Sequence, residues 1–564
     1  MDSHNISHTL FSHRSSSRIY QDLISCQRIG RRDSYDTIHM QDMSTENKVV
    51  TFQISVAIKP FLRILQATEA TRSPSIRRKG LHVAPPTICI VGAGISGLRC
   101  ADVLLKSGLD VTILEARDRI GGRVYQTPLF SGQLVDLGAN WIHGTDHNPI
   151  LDLSKETGTV IHDWREDFNV FDETGKLLKD GKSMNDTLWE IIVQAFKYSA
   201  AHTTTIDPKL SLYDFFADKV QEIFHGEKEA EQRKIVMQMT EMWGAFVGSP
   251  VKTQSLKFFW LEECIDGENL FCAETYQKIL TKIAKPAIDG AKLKFSSTVI
   301  SVESVHQKIS VHTENGLALE FDEIVITCPL GWLKKNKQVF RPELPARFSQ
   351  AVDAIGYGSL EKVYVTFPRA FWLGSKEHPD EKPFTGFAQW LSPQYARNTN
   401  PSRWNQEVVD LATLPDSCAH PTLLFYLFGD QSIAFAAELT SKSSQKERDD
   451  YLVQFFRAYY SLLPHFNEES NDCVPVQCLA TSWIADDFAG NGSYTTIRTG
   501  VEEADKDIEI MRAGLPDRNI WFAGEHTAPF VALGTVTGAY WSGEAVARRI
   551  ASFYGMVETN PSRM

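Results

Sequence analysis

A short apolar run, Thr87-Ile88-Cys89-Ile90-Val91, leads straight into Gly92-Ala93-Gly94-Ile95-Ser96-Gly97. No other feature of the chain limits its fold so tightly. The run reads as a parallel strand buried on both faces, and residues 95–107 read as the helix that follows. Val111-Thr112-Ile113-Leu114 is a second buried strand, so the unit opens βαβ. In that setting each glycine has a task. Gly92 permits the tight turn, Gly94 lets the backbone approach a pyrophosphate, and Gly97 lets helix and strand pack closely. The helix N-terminus offers free N–H groups and partial positive charge to phosphates. Glu115 ends the second strand, 23 positions after Gly92. A carboxylate there accepts hydrogen bonds from ribose hydroxyls and repels a 2′-phosphate, which disfavours an NADP-type cofactor.

Ala116-Arg117-Asp118-Arg119-Ile120-Gly121-Gly122-Arg123 follows at once. Glycines allow close backbone approach and arginine forks suit phosphate oxygens, although residue chemistry alone leaves some of these arginines equally readable as solvated.

The remaining bulk properties narrow the class. A chain of 564 residues exceeds one hydrophobic core, and 43% hydrophobic with 23% charged residues is ordinary for a globular protein. No apolar run has membrane-spanning length. A net charge of −12 argues against nucleic acid as a partner and suits a cationic ligand. The nine cysteines are odd in number and lack CxxC spacing, which speaks against a disulfide framework or a metal site. Cys89 and Cys328 sit in apolar runs and read as buried thiols, which favours a reducing compartment. No secretory signal is evident. Residues 1–84 are rich in Ser, His and Arg without a sustained period and read as a disordered extension. Strand-like runs recur at Lys292–Phe295, Val299–Val302 and Glu323–Thr327, and a helix is expected from Gly538 to Ser552.

The run from Glu115 to Arg123 resembles the flavin-containing amine oxidase family, and the likeness extends from about residue 87 to 555. That family includes monoamine, polyamine and L-amino-acid oxidases and the flavin histone-lysine demethylases. Val135–Gly144 resembles the segment beside the flavin ring, which brings in Gly138, Ala139, Asn140 and Trp141. Val299 stands where the family contacts adenine, and Thr327–Trp332 resembles a family strand end. Gly358–Val363 matches the segment with an active-site lysine, here Lys362, and Trp483 with Gly492-Ser493-Tyr494 matches a late aromatic segment. Phe522–Thr527 and Gly534–Gly543 resemble the second flavin segment. By this resemblance Glu525 would meet the ribityl or phosphate part of FAD and the Val536 backbone would lie near the pyrimidine edge, with Gly524 and Thr535 as further cofactor-binding candidates. A helix starting at Val536 would stabilise negative charge on reduced flavin.

The implied fold is α/β, with a Rossmann-like FAD-binding domain interleaved with a substrate domain of mixed sheet plus helices. The FAD domain would come from 85–150, 286–345 and 476–555, the substrate domain from 151–285 and 346–475, leaving a tail at 556–564. The last cysteine, Cys478, lies far before the C-terminal signature, which implies non-covalent FAD and speaks against a monoamine oxidase.

Trp141-Ile142-His143-Gly144 resembles the polyamine oxidases of animals and yeast, where the histidine meets the substrate amine. A neutral His143 would accept a hydrogen bond from that amine and leave the amine lone pair free. Lys362 resembles the lysine that holds a water near flavin N5, with Val363 and Val365 facing the other way along a strand. The implied reaction takes a hydride from the carbon beside an uncharged secondary amine of a polyamine. The imine hydrolyses to an aldehyde and a shorter amine, and O2 becomes H2O2. Trp260–Glu268 is a candidate acidic lining for the remaining ammonium groups, or equally a solvated loop.

The chain departs from the family at three places. Thr535 replaces an aromatic, Thr537 a histidine, and Glu274-Thr275-Tyr276 a common Gly-Gly-Tyr. Alternative activities are a histone-lysine demethylase, an L-amino-acid or monoamine oxidase, and a flavoprotein without catalysis. The demethylase reading lacks its long heptad insertion, and the amino-acid oxidase reading lacks an identifiable arginine for the carboxylate. Ser562-Arg563-Met564 resembles a variant of the Ser-Lys-Leu address, which implies a peroxisomal import receptor as a partner, with the cytoplasm as the alternative location.

Overall fold

The computed structural model describes residues 85–164, 168–305, 307–374 and 382–556. The extension expected at 1–84 and the address at 562–564 lie outside the described residues. Two sheets organise the rest. In chain order their strands are β1 (Thr87–Val91), β2 (Asp110–Leu114), β3 (Phe168–Phe171), β4 (Lys292–Lys294), β5 (Glu323–Ile326), β6 (Leu360–Thr366), β7 (Phe387–Trp390), β8 (Gln406–Asp410), β9 (Thr422–Phe428), β10 (Gln477–Ala480) and β11 (Ile520–Phe522). The first sheet runs β11-β5-β1-β2-β4 and is parallel throughout. The second runs β10-β6-β9-β8-β7-β3 and is antiparallel except at its β7–β3 edge.

The parallel sheet is buried on both faces, as its unbroken apolar strands require. Ile88 and Ile90 of β1 face a core shared with three helices: α1 (Ile95–Lys106), α2 (Gln277–Gly290) and α3 (Val536–Phe553). Cys89 and Val91, pointing the other way, join Val302, Ile309 and Val311 of a small four-stranded sheet. Each fully buried aliphatic side chain contributes about 1.5–3 kcal/mol. Helices α1 and α3 approach closely because Gly543 is bare: a Cβ there would sit 2.1 Å from the Ser96 carbonyl oxygen. The hydroxyls of Ser96 and Ser542 meet at 3.2 Å beside this contact.

Two boundaries differ from those drawn on the sequence. Helix α2 starts at Gln277 and packs in the core of the parallel sheet, so the first stretch assigned to a substrate domain ends before 285. Strand β10 begins the last stretch but pairs with β6 in the second sheet, so the chain returns to the parallel sheet only later. Both differences arise because a core is closed by contacts between distant segments, which local patterns do not report.

Among the described residues no helix is long and apolar enough to cross a membrane, and no group of His, Cys, Asp or Glu is arranged to hold a metal ion. Thr275, in the segment that departs from Gly-Gly-Tyr, adopts φ +73° and is buried. A β-branched residue in that region is strained. Thr275→Gly is expected to raise unfolding free energy by about 1 kcal/mol, seen as a higher melting temperature; an unchanged or lower value would show that the threonine is not under strain.

Candidate active site

A cavity of about 1060 Å³ runs from the glycine turn of the parallel sheet to the face of the antiparallel one. Its lining includes every residue singled out above as catalytic or cofactor-contacting except Gly97. Gly97 lies behind the turn, where a Cβ would come within 2.1 Å of the Gly92 carbonyl oxygen. Its part is the close packing of helix on strand.

At the glycine end, Gly92 turns with φ +109° and Gly94 precedes α1 without a side-chain cap. A Cβ at Gly94 would meet nothing within 4 Å, so the helix N-terminus opens on free space. Glu115 is buried and fixed. One oxygen accepts the Ala93 amide at 2.7 Å and the other the Arg117 amide at 2.9 Å. Carboxylate lone pairs remain for further donors. Gly138 passes so close to Arg123 that a Cβ would sit 1.5 Å from the arginine carbonyl oxygen. Val299 closes the side near Glu115, whose carbonyl accepts the Ser297 amide at 2.9 Å.

Each of the three arginines has partners within the protein. Arg117 pairs with Asp486 at 2.7 Å. Arg119 donates to the carbonyls of Ile120 and Gly122 and lies 3.8 Å over the Tyr125 ring. Arg123 donates to Glu525 at 3.1 Å, to the Tyr357 hydroxyl at 3.2 Å and to the Ser493 carbonyl. A half-buried guanidinium needs such partners, and sequence spacing could not reveal them. Glu525 also accepts the Thr495 amide at 3.3 Å. At the start of α3 the Thr535 hydroxyl caps the Gly538 amide at 2.9 Å, and Val536 lines the cavity. An open helix N-terminus, a fixed acidic strand end and backbone bared by glycine together fit a dinucleotide flavin.

At the other end Lys362 stands on β6 with only 3% exposure. Its ammonium donates to the carbonyls of Asp136, at 3.3 Å, and Gly138. Burial holds its pKa well below the lysine range, opposed in part by the Asp136 carboxylate. Val363 and Val365 face the opposite core. Next across the sheet, the Tyr426 hydroxyl accepts the side-chain N–H groups of Asn140 and Trp141, both at 3.0 Å. Trp483 donates to the Leu137 carbonyl at 3.0 Å.

His143 follows a two-residue strand, Trp141–Ile142, and its Nδ1 lies 3.2 Å from the Asn269 side-chain oxygen. That oxygen only accepts, so the hydrogen belongs on Nδ1 and the lone pair on Nε2. Burial lowers the imidazole pKa, against the Asn269 hydrogen bond, and keeps it neutral near pH 7. The backbone here is tied to α3: Asn148 donates to the His143 and Gly144 carbonyls at 3.1 and 2.8 Å and accepts the Thr537 hydroxyl at 3.0 Å. Thr537, one of the departures, thus steadies the histidine loop.

The acidic loop contributes Glu262, Asp266 and Glu268 to the lining, joined by Asp163, Asp186 and Glu407. Burial pushes Glu262 up to about 7 despite the hydrogen bond from the Ile497 amide. Asn269, Tyr426, Asp486 and Glu407 were not found in the sequence. Tyr426 pairs with Lys362 and Glu407 with Tyr426 across the sheet, a register that the sequence does not signal.

The profile of the flavin containing amine oxidoreductases matches residues 95–551. Polyamine oxidase 4 of Oryza sativa subsp. japonica is 26% identical over 84% of this chain and 90% of its own length. Lysine-specific histone demethylase 1 homolog 2 of the same species is 25% identical over 82% of this chain, which spans 57% of that longer protein. A redesigned putrescine oxidase of known structure superimposes with a TM-score of 0.60 at 17% identity, covering 83% of this chain and 99% of that one. The likeness to the putrescine oxidase establishes the shared fold.

Two thiols line the cavity, Cys264 and Cys328. Burial pushes Cys264 up to about 12 and raises Cys328 as well, so neither offers a thiolate for a flavin bond. Denaturation with acid is therefore expected to release all yellow colour into the filtrate; flavin fluorescence that stays with the precipitated polypeptide would contradict this.

Proposed function

The chain belongs to the flavin-containing amine oxidoreductases and its cofactor is FAD, and from that premise we propose that it oxidises secondary amines of polyamines. The overall change is R–CH2–NH–R′ + O2 + H2O giving RCHO, R′NH2 and H2O2. Bound FAD, held non-covalently, supplies the hydride acceptor and, with O2, the route to peroxide. What supports this reading is one juxtaposition. A neutral His143 shares a cavity with buried Lys362 and with carboxylates from several elements. Such a cavity suits a ligand with one uncharged amine and further cationic ones.

The residues divide the work. His143 Nε2 accepts a hydrogen bond from the amine N–H and orients the adjacent carbon while the nitrogen lone pair stays available. Lys362 Nζ, with its lowered pKa, holds or moves a proton at the cofactor edge of the cavity. Trp141 meets Phe271 and Trp164 meets Phe387 edge to face, Trp164 lies tilted against Phe271, and the cluster excludes water around the reacting carbon. The imine then hydrolyses to the aldehyde and the shorter amine.

Anaerobic mixing of the purified protein with spermine, N1-acetylspermine, tyramine, L-leucine or a methylated histone-tail peptide is the direct test, followed by flavin absorbance. Bleaching by the polyamines alone is expected. Bleaching by tyramine or leucine moves the assignment to another branch of the family, and bleaching by the peptide favours a demethylase. Lys362→Met is expected to slow turnover roughly 100-fold with FAD content unchanged; a full-speed variant would remove Lys362 from the chemistry.

A further inference from the structure

At the glycine end the cavity has a wall one side chain thick. Phe488 lines the cavity together with Glu115, Arg117 and Val299, yet 38% of its own surface faces solvent. It lies in the short helical turn Asp487–Ala489, after β10. No role described so far uses this turn.

Both ends of the turn are anchored. Ahead of it the Ile484 amide donates to the buried Glu361 carboxylate of β6 at 2.8 Å. Behind it the Ala489 carbonyl accepts the Tyr357 hydroxyl at 2.6 Å. Gly490 then packs so tightly that a Cβ would sit 2.4 Å from the Trp332 amide nitrogen. The middle is held differently. Arg117, 369 positions earlier in the chain, donates to both Asp486 carboxylate oxygens at 2.7 and 2.8 Å and lies 5.3 Å over the Phe488 ring. The Arg117 amide bonds Glu115, the carboxylate suited to a ribose, at 2.9 Å. One arginine thus ties the outer wall to the strand end that a dinucleotide meets. The paired side chains are 19% and 24% exposed, so salt ions reach the tie. The ends are fixed by buried hydrogen bonds, whereas an ion pair at the surface can open without unfolding what lies behind it.

We propose that Asp486–Phe488 is a strap over the FAD site, latched by Arg117, and that FAD enters and leaves when this ion pair opens. With the latch closed, the Phe488 ring walls the cofactor end and slows the loss of FAD. The proposal rests on FAD as the cofactor and not on any choice of amine substrate.

The experiment follows the fluorescence of released FAD after the full-length holoprotein is diluted into flavin-free buffer, at low salt and at about 1 M NaCl. Wild type is compared with Asp486→Asn, Asp486→Glu and Phe488→Ala, and melting temperature verifies that each variant is folded. Asparagine keeps a side-chain oxygen for the Ala489 amide, which Asp486 accepts at 3.0 Å, so that substitution removes the ion pair and spares the cap. Wild-type release is expected to quicken with salt. Asp486→Asn should release FAD roughly fivefold faster at low salt and lose the salt dependence. Asp486→Glu should keep that dependence, and Phe488→Ala should release quickly with the dependence intact. Wild-type release that salt does not quicken overturns the proposal, and so does a folded Asp486→Asn that loses FAD no faster than wild type. Faster release from Asp486→Asn that still quickens with salt as wild type does overturns it too, because another charge contact then governs retention. None of these outcomes bears on the amine substrate, so the function reading is tested separately.

Discussion

The backbone from Asp136 to Trp141 takes its hydrogen-bond donors from distant parts of the chain, and those bonds join the two sheets. Four of its six carbonyls accept side-chain donors of the protein. The Asp136 carbonyl accepts the Tyr364 hydroxyl at 2.6 Å and the Lys362 ammonium; the Leu137 carbonyl accepts Trp483; the Gly138 carbonyl accepts Lys362; the Trp141 carbonyl accepts the Tyr276 hydroxyl at 2.7 Å. The donors come from β6, from the region after β10 and from the turn before α2. The stretch expected to pass beside the flavin is thus pinned by the sheet that faces the substrate. An interaction with the backbone rather than with an acid also explains how Lys362 stays buried. It meets oxygen dipoles and keeps its proton exchangeable.

Electrostatics vary along the cavity in the same sense. The glycine end presents an uncapped helix N-terminus and arginines already neutralised by Asp486 and Glu525. The far end presents carboxylates with no matching surplus of cations on its walls. An anionic cofactor and a cationic ligand are each drawn to one end, and neither is favoured at the other.

The glycine turn, its two strands and Glu115 were legible because everything that defines them is local. A period, a breaker and a carboxylate at a fixed offset suffice. Lys362 and His143 were legible only through resemblance, since a lone lysine on an alternating strand has no distinguishing pattern of its own. Tyr426 and Glu407 were not legible. They are neighbours of Lys362 through strand pairing across the sheet, and pairing register is decided by the packed core rather than by nearby sequence. The arginines after Glu115 show the converse. Their residue types left phosphate contact and solvation open, and the protein partners of two of them, Asp486 and Glu525, arrive from distant segments. The domain boundary drawn between 285 and 286 cuts through α2 for the same reason, because only the assembled core shows which sheet that helix covers.

The buried thiols acquire a further meaning beside the proposed chemistry. Peroxide attacks the thiolate form of cysteine, and exposure governs how fast. Cys264 and Cys328 line the space where peroxide would arise, and Cys89 and Cys100 lie in the core behind it, fully buried. All four are held protonated by their surroundings. Were peroxide formed there, unfolding would be the event that exposes these thiols to it.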